Sequence, residues 1–249
     1  MSEERFEIRK DGLVLKGKHF SSGETANPPV IISHEFGMNM LSTARYARPI
    51  AKAGYNVYIY DFCGSGAGIS QGRKSTQMSV LTEKDDLFAV MDYVMERENA
   101  ESVILGGCSQ GGLVSALAAA ERKSEVEKLF LIYPALCIPD DARSGSMLGA
   151  KVNPENPAET FTAIGYVKLG KRYVLDALKL DPWEQITPYR EPVLIVHGTA
   201  DGIVNISYAR KAAELYENAK LVEIEGGKHI FPMISHVKKT CSEIIKFIK

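Results

Sequence analysis

Three residues far apart in the chain, Ser109, Asp201 and His229, could share one reaction. Ser109 is the middle of Gly107-Cys108-Ser109-Gln110-Gly111, which lies between a β-branched run, Ser102-Val103-Ile104-Leu105, and a helical run of small and apolar residues over 113–120. A strand that turns straight into a helix forces the residue at its tip into a strained conformation, tolerated when its neighbours lack side chains. Gly107 and Gly111 meet that demand, so the hydroxyl would stand above a sheet with a helix N-terminus behind it, as in a nucleophile elbow. Cys108 points the other way along the pleat, into the core. A serine hydroxyl is a poor nucleophile at neutral pH. It needs a base within hydrogen-bond reach and a third group that fixes the base's tautomer.

In an open parallel sheet such groups gather at the carboxyl ends of strands. Asp201 closes His197-Gly198-Thr199-Ala200-Asp201, just past a strand pattern at 192–196, and His229 closes Glu225-Gly226-Gly227-Lys228-His229, just past one at 220–224. Both are predicted to project at the edge that carries Ser109, and the order Ser, Asp, His is that of the α/β-hydrolase fold. His34 and His197 also end strands but adjoin loop backbone and read as braces for turns. His19, in an N-terminal hairpin, and His236, in the last helix, read as surface residues. Asp61 ends a strand but precedes the elbow, and Pro134-Ala135-Leu136, after the strand at 126–133, offers no carboxylate. The oxyanion of a tetrahedral intermediate needs preorganised donors. The backbone N–H of Gln110 and that of Phe36, in the loop after 30–33, are the candidates for an oxyanion hole, and Gly37 beside Phe36 leaves room for a substrate.

Periodicity gives the elements that must hold these side chains. Residues 5–20 alternate apolar and polar around Lys10-Asp11-Gly12, a hairpin at the sheet edge. A loop over 21–29 leads to Val30-Ile31-Ile32-Ser33, suited to a strand buried on both faces. A helix over 41–53, a strand over 55–60, a glycine-rich loop over 61–72 and a helix over 80–98 precede the elbow. That last helix carries an apolar stripe of Leu81, Leu87, Val90, Met91, Val94 and Met95 with acids and bases opposite. Residues 134–188 then break the rhythm, being too long for an ordinary connection, and read as a cap with a helix near 173–179. A helix over 206–217, a strand over 220–224 and a helix over 235–249 complete the chain. The predicted fold is α/β, a mostly parallel central sheet with helices on both faces, with the core in 1–134 and 189–249 and an inserted cap at 135–188.

Composition narrows the function classes. A chain of 249 residues that is 45% hydrophobic can bury a sizeable core, while a net charge of −1 without basic or acidic runs gives no reason to expect nucleic acid or a membrane as partner. No apolar run approaches the ~20 residues that span a bilayer, and the charged start, Met1-Ser2-Glu3-Glu4-Arg5, lacks an apolar segment, so a cytoplasmic location is expected. Cys63, Cys108, Cys137 and Cys241 are scattered without zinc or disulfide spacing; neither metal nor cofactor is expected. Gly64-Ser65-Gly66-Ala67-Gly68 lacks the glycine at 69 that a dinucleotide motif requires. Gly72-Arg73-Lys74-Ser75 fails the P-loop spacing at Ala67, and His34-Glu35 meets Met38 where a zinc-protease helix has histidine. A small-molecule ester is the expected partner, with a homodimer left open.

With these motifs in place, the chain resembles the α/β-hydrolase superfamily over nearly its whole length. More narrowly it is similar to the hydroxycinnamoyl (feruloyl, cinnamoyl) esterases. Their pattern is a His-Gly-Phe oxyanion loop, an Asp-Phe-x-Gly-x-Gly loop, a Gly-x-Ser-Gln-Gly-Gly elbow, a cap of some fifty residues and a His-Gly-Thr-x-Asp acid loop. The counterparts here are His34-Glu35-Phe36, Asp61-Phe62-Cys63-Gly64-Ser65-Gly66, Gly107-Cys108-Ser109-Gln110-Gly111-Gly112 and His197-Gly198-Thr199-Ala200-Asp201. The resemblance implies a serine carboxylesterase acting on aromatic esters, with an Asp early in the cap and a Tyr further on holding the substrate's phenolic hydroxyl. Asp141 and Tyr173 match those two positions, with Asp140 an alternative for the first. Glu35 departs from the pattern's Gly, and Ser65 and Ala67 replace bulkier polar residues. A peptidase or a lipid (monoacylglycerol-type) hydrolase of the same superfamily is the alternative, and a non-catalytic ligand-binding receptor on the same fold is a third.

Overall fold

Asp11 and Gly12 adopt left-handed backbone, with φ of +50° and +79°. A two-residue turn of that kind matches the twist of its flanking strands, and it folds β1 (Ser2–Lys10) onto β2 (Leu13–Ser21) as an antiparallel pair. The chain continues through β3 (Val30–Ser33), α1 (Ala44–Lys52), β4 (Val57–Tyr60), α2 (Val80–Glu98), β5 (Val103–Cys108), α3 (Gln110–Glu121) and β6 (Val126–Ile132). This computed structural model describes residues 1–21, 23 and 25–249. Of the loop expected over 21–29, Ser22 and Glu24 lie outside the described residues.

After β6 come α4 (Ile138–Ser144), two small antiparallel hairpins, β7 (Ser146–Met147) with β8 (Ala150–Lys151) and β9 (Thr160–Ala163) with β10 (Val167–Gly170), and then α5 (Lys171–Leu178) and α6 (Pro182–Gln185). The hairpins are too short to give a strand period in the sequence. Their apolar side chains do not form a core of their own: Leu169, Tyr173 and Val174 pack in the same cluster as Leu87 and Val90 of α2 and Leu113 of α3. The segment is therefore a further layer on the molecule's main core. β11 (Val193–Gly198), α7 (Ile206–Leu215), β12 (Ala219–Ile224) and α8 (Ile234–Ile248) close the chain.

The eight-stranded sheet has the order β1-β2-β4-β3-β5-β6-β11-β12. β2 runs antiparallel to β4, and from β4 to β12 every pair is parallel. Alternation along a strand sends successive side chains to opposite faces. On β5, Val103 and Leu105 join the core under α2 and α3, whereas Ile104 and Cys108 join the one under α1 and α8. On β11, Val193 and Ile195 face the first core and Leu194 and Val196 the second. Each such side chain contributes roughly 1.5–3 kcal/mol by leaving water. Only β1 is a bare edge on this side, because β2 is covered by β4. His19 is consequently buried, with its ring stacked 4.3 Å from Tyr58, and not on the surface as its place in the hairpin suggested.

Helix α2 starts where a capping box demands. The Ser79 hydroxyl accepts the Thr82 N–H and the Thr82 hydroxyl accepts the Ser79 N–H, and Asn99 ends the helix in left-handed backbone. The stripe is less cleanly divided than its spacing implied, since Glu83 and Asp86 lie on the buried side. No helix among the described residues is long and apolar enough to cross a membrane.

The elbow is the tightest point of the fold. A Cβ on Gly107 would lie 2.1 Å from the Gly111 carbonyl oxygen, and one on Gly111 would lie 2.5 and 2.6 Å from the carbonyl oxygens of His34 and Ser33. Backbone cannot yield as a flexible side chain can. Gly111→Ala is expected to destabilise the protein by roughly 3 kcal/mol, lowering Tm by about 10 °C in a melting curve.

Candidate active site

Ser109 has φ +52° and ψ −118°, between the last residue of β5 and the first of α3. Such backbone costs a non-glycine residue of order 1–3 kcal/mol and persists only where the surroundings impose it. They do so here: the Ser109 N–H is held by the Ile132 carbonyl, and its own carbonyl accepts the N–H groups of Gly112, Leu113 and Ala135. The side chain is thereby aimed at the loop after β12. His229 Nε2 lies 3.0 Å from Ser109 Oγ, and His229 Nδ1 lies 2.7 Å from Asp201 Oδ2. Parallel pairing of β11 with β12, and of β11 with β6 beside β5, brings the three strand ends to one edge. The carboxylate acceptor puts the proton on Nδ1 and leaves Nε2 to accept from the serine hydroxyl.

Asp201 is more heavily bonded than its sequence position revealed. Its Oδ1 accepts the N–H groups of Ile203 and Val204, each at 2.9 Å. Its Oδ2 is approached by His229 and, at 3.3 Å, by His197 Nε2, which also lies 3.0 Å from the Val204 carbonyl oxygen. Burial raises the carboxyl's pKa, but the hydrogen bonds from His197, His229 and the Val204 N–H outweigh it and hold the group well below the usual carboxylate range. His197 is thus a brace, as its sequence position suggested, and its load is the acid itself. His34 braces the neighbouring loop: its Nε2 accepts the Phe62 N–H at 3.2 Å while Nδ1 lies 2.8 Å from the Glu35 carbonyl oxygen. Burial lowers its pKa and keeps it neutral. Asp61 is also structural, since its carboxylate accepts the N–H groups of Met40 and Ile69.

The N–H groups of Phe36 and Gln110 have no acceptor among the described residues, and both residues line the same cleft as Ser109. The Gln110 side chain is spoken for. Its Nε2 donates to Glu83 Oε2 at 2.5 Å, and its Oε1 accepts from the Tyr173 hydroxyl. Helix α2 and cap helix α5 thus grip the residue after the serine from two sides, and a second tie joins them where the Ser79 hydroxyl donates to Asp176 at 2.7 Å. Burial drives Glu83 up to about 8, against the Gln110 hydrogen bond. Sequence reasoning passed over Glu83, although its spacing from Val80 and Leu87 places an acid on a buried helical stripe.

The cleft has a volume of about 400 Å³ and is walled by Ala135, Ile138, Leu148 and Ile164 among others. Of the two cap residues singled out from the sequence, Asp141 lines it and Tyr173 does not. Tyr173 is fully buried, with its hydroxyl committed to Gln110 and its ring edge-on to Phe36 at 5.9 Å. Asp140 faces away, accepting from Tyr208 and pairing with Arg143. Burial raises the Asp141 carboxyl, opposed by its bond with the Cys137 thiol and reinforced by the charge of Asp140. No group of His, Cys, Asp and Glu among the described residues could hold a metal ion.

The sequence profile of a family described as serine aminopeptidase, S33, matches residues 25–156, over half of the chain. The chain belongs to this family. Among solved structures, this S33 hydrolase is similar to Est1E from Butyrivibrio proteoclasticus with ferulic acid bound, at a TM-score of 0.91 and 28% identity over 98% of this chain and 97% of that one. Sequence relatives include the uncharacterized protein YqkD of Bacillus subtilis strain 168, 28% identical over 225 residues, which are 88% of this chain and 70% of that one. Another is the monoglyceride lipase of Rattus norvegicus, 27% identical over 146 residues, 58% of this chain and 48% of that one. Family and relatives together make the protein an α/β-hydrolase and a serine hydrolase, and they support ester hydrolysis.

The two acids behind the site give the S33 hydrolase a characteristic pH response. Glu83 holds its proton in the folded chain up to about 8 but loses it near 4.5 when unfolded, so its contribution to stability is full below 4.5 and is lost as pH rises to about 8. Asp201, lowered by folding, acts in the opposite sense: its contribution is present above the ordinary carboxylate range and is lost as pH falls below that range toward its depressed folded value. Glu83→Gln is therefore expected to flatten the fall of Tm between pH 4.5 and 8, as read by thermal melts in a buffer series, while leaving the acid limb unchanged.

Proposed function

We propose that this S33 hydrolase cleaves carboxylic esters of small to medium aromatic acids, of the hydroxycinnamoyl type, through an acyl-enzyme intermediate. The observation that carries the reading is the line from Asp201 through His229 to Ser109, 2.7 and 3.0 Å long, beside a cleft lined by Ser109 and by Phe36 and Gln110, whose backbone N–H groups have no acceptor among the described residues. Ser109 Oγ attacks the ester carbonyl carbon as His229 Nε2 takes its proton. Asp201 keeps the imidazole oriented and stabilises the imidazolium. The carbonyl oxygen, now negative, takes hydrogen bonds from the N–H groups of Phe36 and Gln110. When the C–O bond to the alcohol breaks, His229 returns the proton to the leaving oxygen. A water then repeats the sequence on the acyl-enzyme and releases the acid.

The aromatic preference rests on Asp141. In a cleft otherwise walled largely by apolar groups, one half-buried carboxyl offers an acceptor to a phenolic hydroxyl at the far end of a flat acyl group. The similarity to Est1E with ferulic acid bound supports the same assignment. Tyr173, with its hydroxyl on Gln110, enters as support for the oxyanion donor. A longer acyl chain of the monoacylglycerol type is the second reading, favoured by the exposed apolar side chains of Ile164 and Ile203 on the cleft wall and by the monoglyceride lipase relative.

Ser109→Ala is expected to lower kcat by ~10⁴ or more with an unchanged circular dichroism spectrum. A variant that keeps substantial turnover would remove Ser109 from the nucleophile's role. Asp141→Ala should raise KM for methyl ferulate by about 10-fold and leave KM for methyl cinnamate, which lacks the hydroxyl, nearly unchanged. Equal effects on both esters, or faster hydrolysis of long-chain nitrophenyl esters than of either, would favour the second reading.

A further inference from the structure

Glu35, which stands where the resembling esterases carry glycine, is fully engaged beneath the site. It is buried, and its two carboxylate oxygens are divided between two elements. Oε2 accepts from the Ser42 hydroxyl at 2.5 Å, just ahead of α1, and Oε1 accepts from the Tyr133 hydroxyl at 2.9 Å, with Arg45 Nη2 3.8 Å away. Tyr133 follows β6 in left-handed backbone, at φ +38°, a conformation unfavourable for a bulky residue. Its hydroxyl also accepts from Arg45 Nη2 at 3.0 Å, and its ring lies 4.9 Å from the imidazole of His229 and 5.0 Å from Phe231. The residue that precedes the Phe36 N–H is thus bonded to the wall on which the imidazole leans.

We propose that Glu35 is a positioning residue that locks the Phe36 donor and the His229 ring in register through the Tyr133 hydroxyl. The proposal rests on the reading of Ser109, His229 and Asp201 as the reacting groups. A carboxylate suits the task because it accepts a hydroxyl hydrogen on each oxygen. An amide replaces one of those acceptors with a donor and removes the charge, so the hydroxyl at that end must turn round to accept and the bond at the other loses its charge assistance. Glycine would remove both bonds and leave the Tyr133 and Ser42 hydroxyls without this acceptor. Positions fixed in this way matter because a donor displaced by a fraction of an ångström no longer meets the oxyanion at its working distance.

The test uses the full-length protein and rates normalised to active sites titrated with a fluorophosphonate, so that loss of folded protein does not register. Glu35→Gln and Tyr133→Phe should each lower kcat per titrated site on 4-nitrophenyl acetate by about 10-fold, with KM changed less than 2-fold, short of the ~10² or more lost when an oxyanion donor is deleted. Combined, they should be no slower than the slower single variant, because both cut the same bond. Ser42→Ala, which shortens one partly buried side chain, serves as the milder cut at the other oxygen, expected at about 3-fold. Turnover per site equal to wild type in Glu35→Gln and Tyr133→Phe, or a product of effects in the double variant, overturns the proposal while the assignment of Ser109 stands. A wild-type protein that neither labels with the fluorophosphonate nor turns over ester overturns both.

Discussion

An imidazole that must touch a hydroxyl on one nitrogen and a carboxylate on the other allows almost no slack in the elements that carry them. Here the gaps are 3.0 and 2.7 Å, and the side chains come from loops after three different strands. Parallel pairing makes this possible, because it sends the carboxyl ends of β5, β11 and β12 to the same edge. The rest of the architecture follows from keeping that edge rigid. Helices on both faces bury the alternating side chains, and the antiparallel hairpin at the far side ends the sheet where no chemistry is required.

Around Ser109, His229 and Asp201 the structure accepts costs that a core elsewhere would avoid. Ser109, Tyr133, Leu148, Ile164, Ile230 and Phe231 all hold positive φ without being glycine, and they occupy the elbow, its flanking loop, the cleft wall and the loop that carries His229. Three carboxyl groups, Glu35, Glu83 and Asp201, sit where water is scarce. Each is stabilised by directed donors: hydroxyls for Glu35, an amide for Glu83, and backbone N–H groups with two imidazoles for Asp201. Buried polar groups satisfied in this way fix one arrangement, since any other leaves a polar group without a partner.

Most of the scaffold was legible because it is encoded locally. Helix α2 could be bounded from its apolar spacing, and the elbow could be read because only glycine fits at 107 and 111. The three polar residues at strand ends could be named because the fold's connectivity leaves few other positions for them. The contacts that tune the site were not legible in the same way. Glu35 meets Tyr133 across 98 residues and Tyr173 meets Gln110 across 63, separations over which no periodicity carries information. His19 failed for a related reason, since which strand of a hairpin forms the edge depends on a partner, β4, that lies well along the chain. The cap hairpins, only two to four residues per strand, gave no pattern to find.

The cap's grip on the residue after the serine limits how it can be exchanged. Because Tyr173 and Glu83 share one glutamine amide, and Asp176 takes the hydroxyl that caps α2, the layer after β6 is not a free-standing module that can be exchanged by itself. A chimera would have to keep Ser79, which donates to the graft, and Gln110, which accepts from it. Changes that reshape the cleft without cutting those bonds are left to its rim, where Ile164 and Ile203 meet solvent.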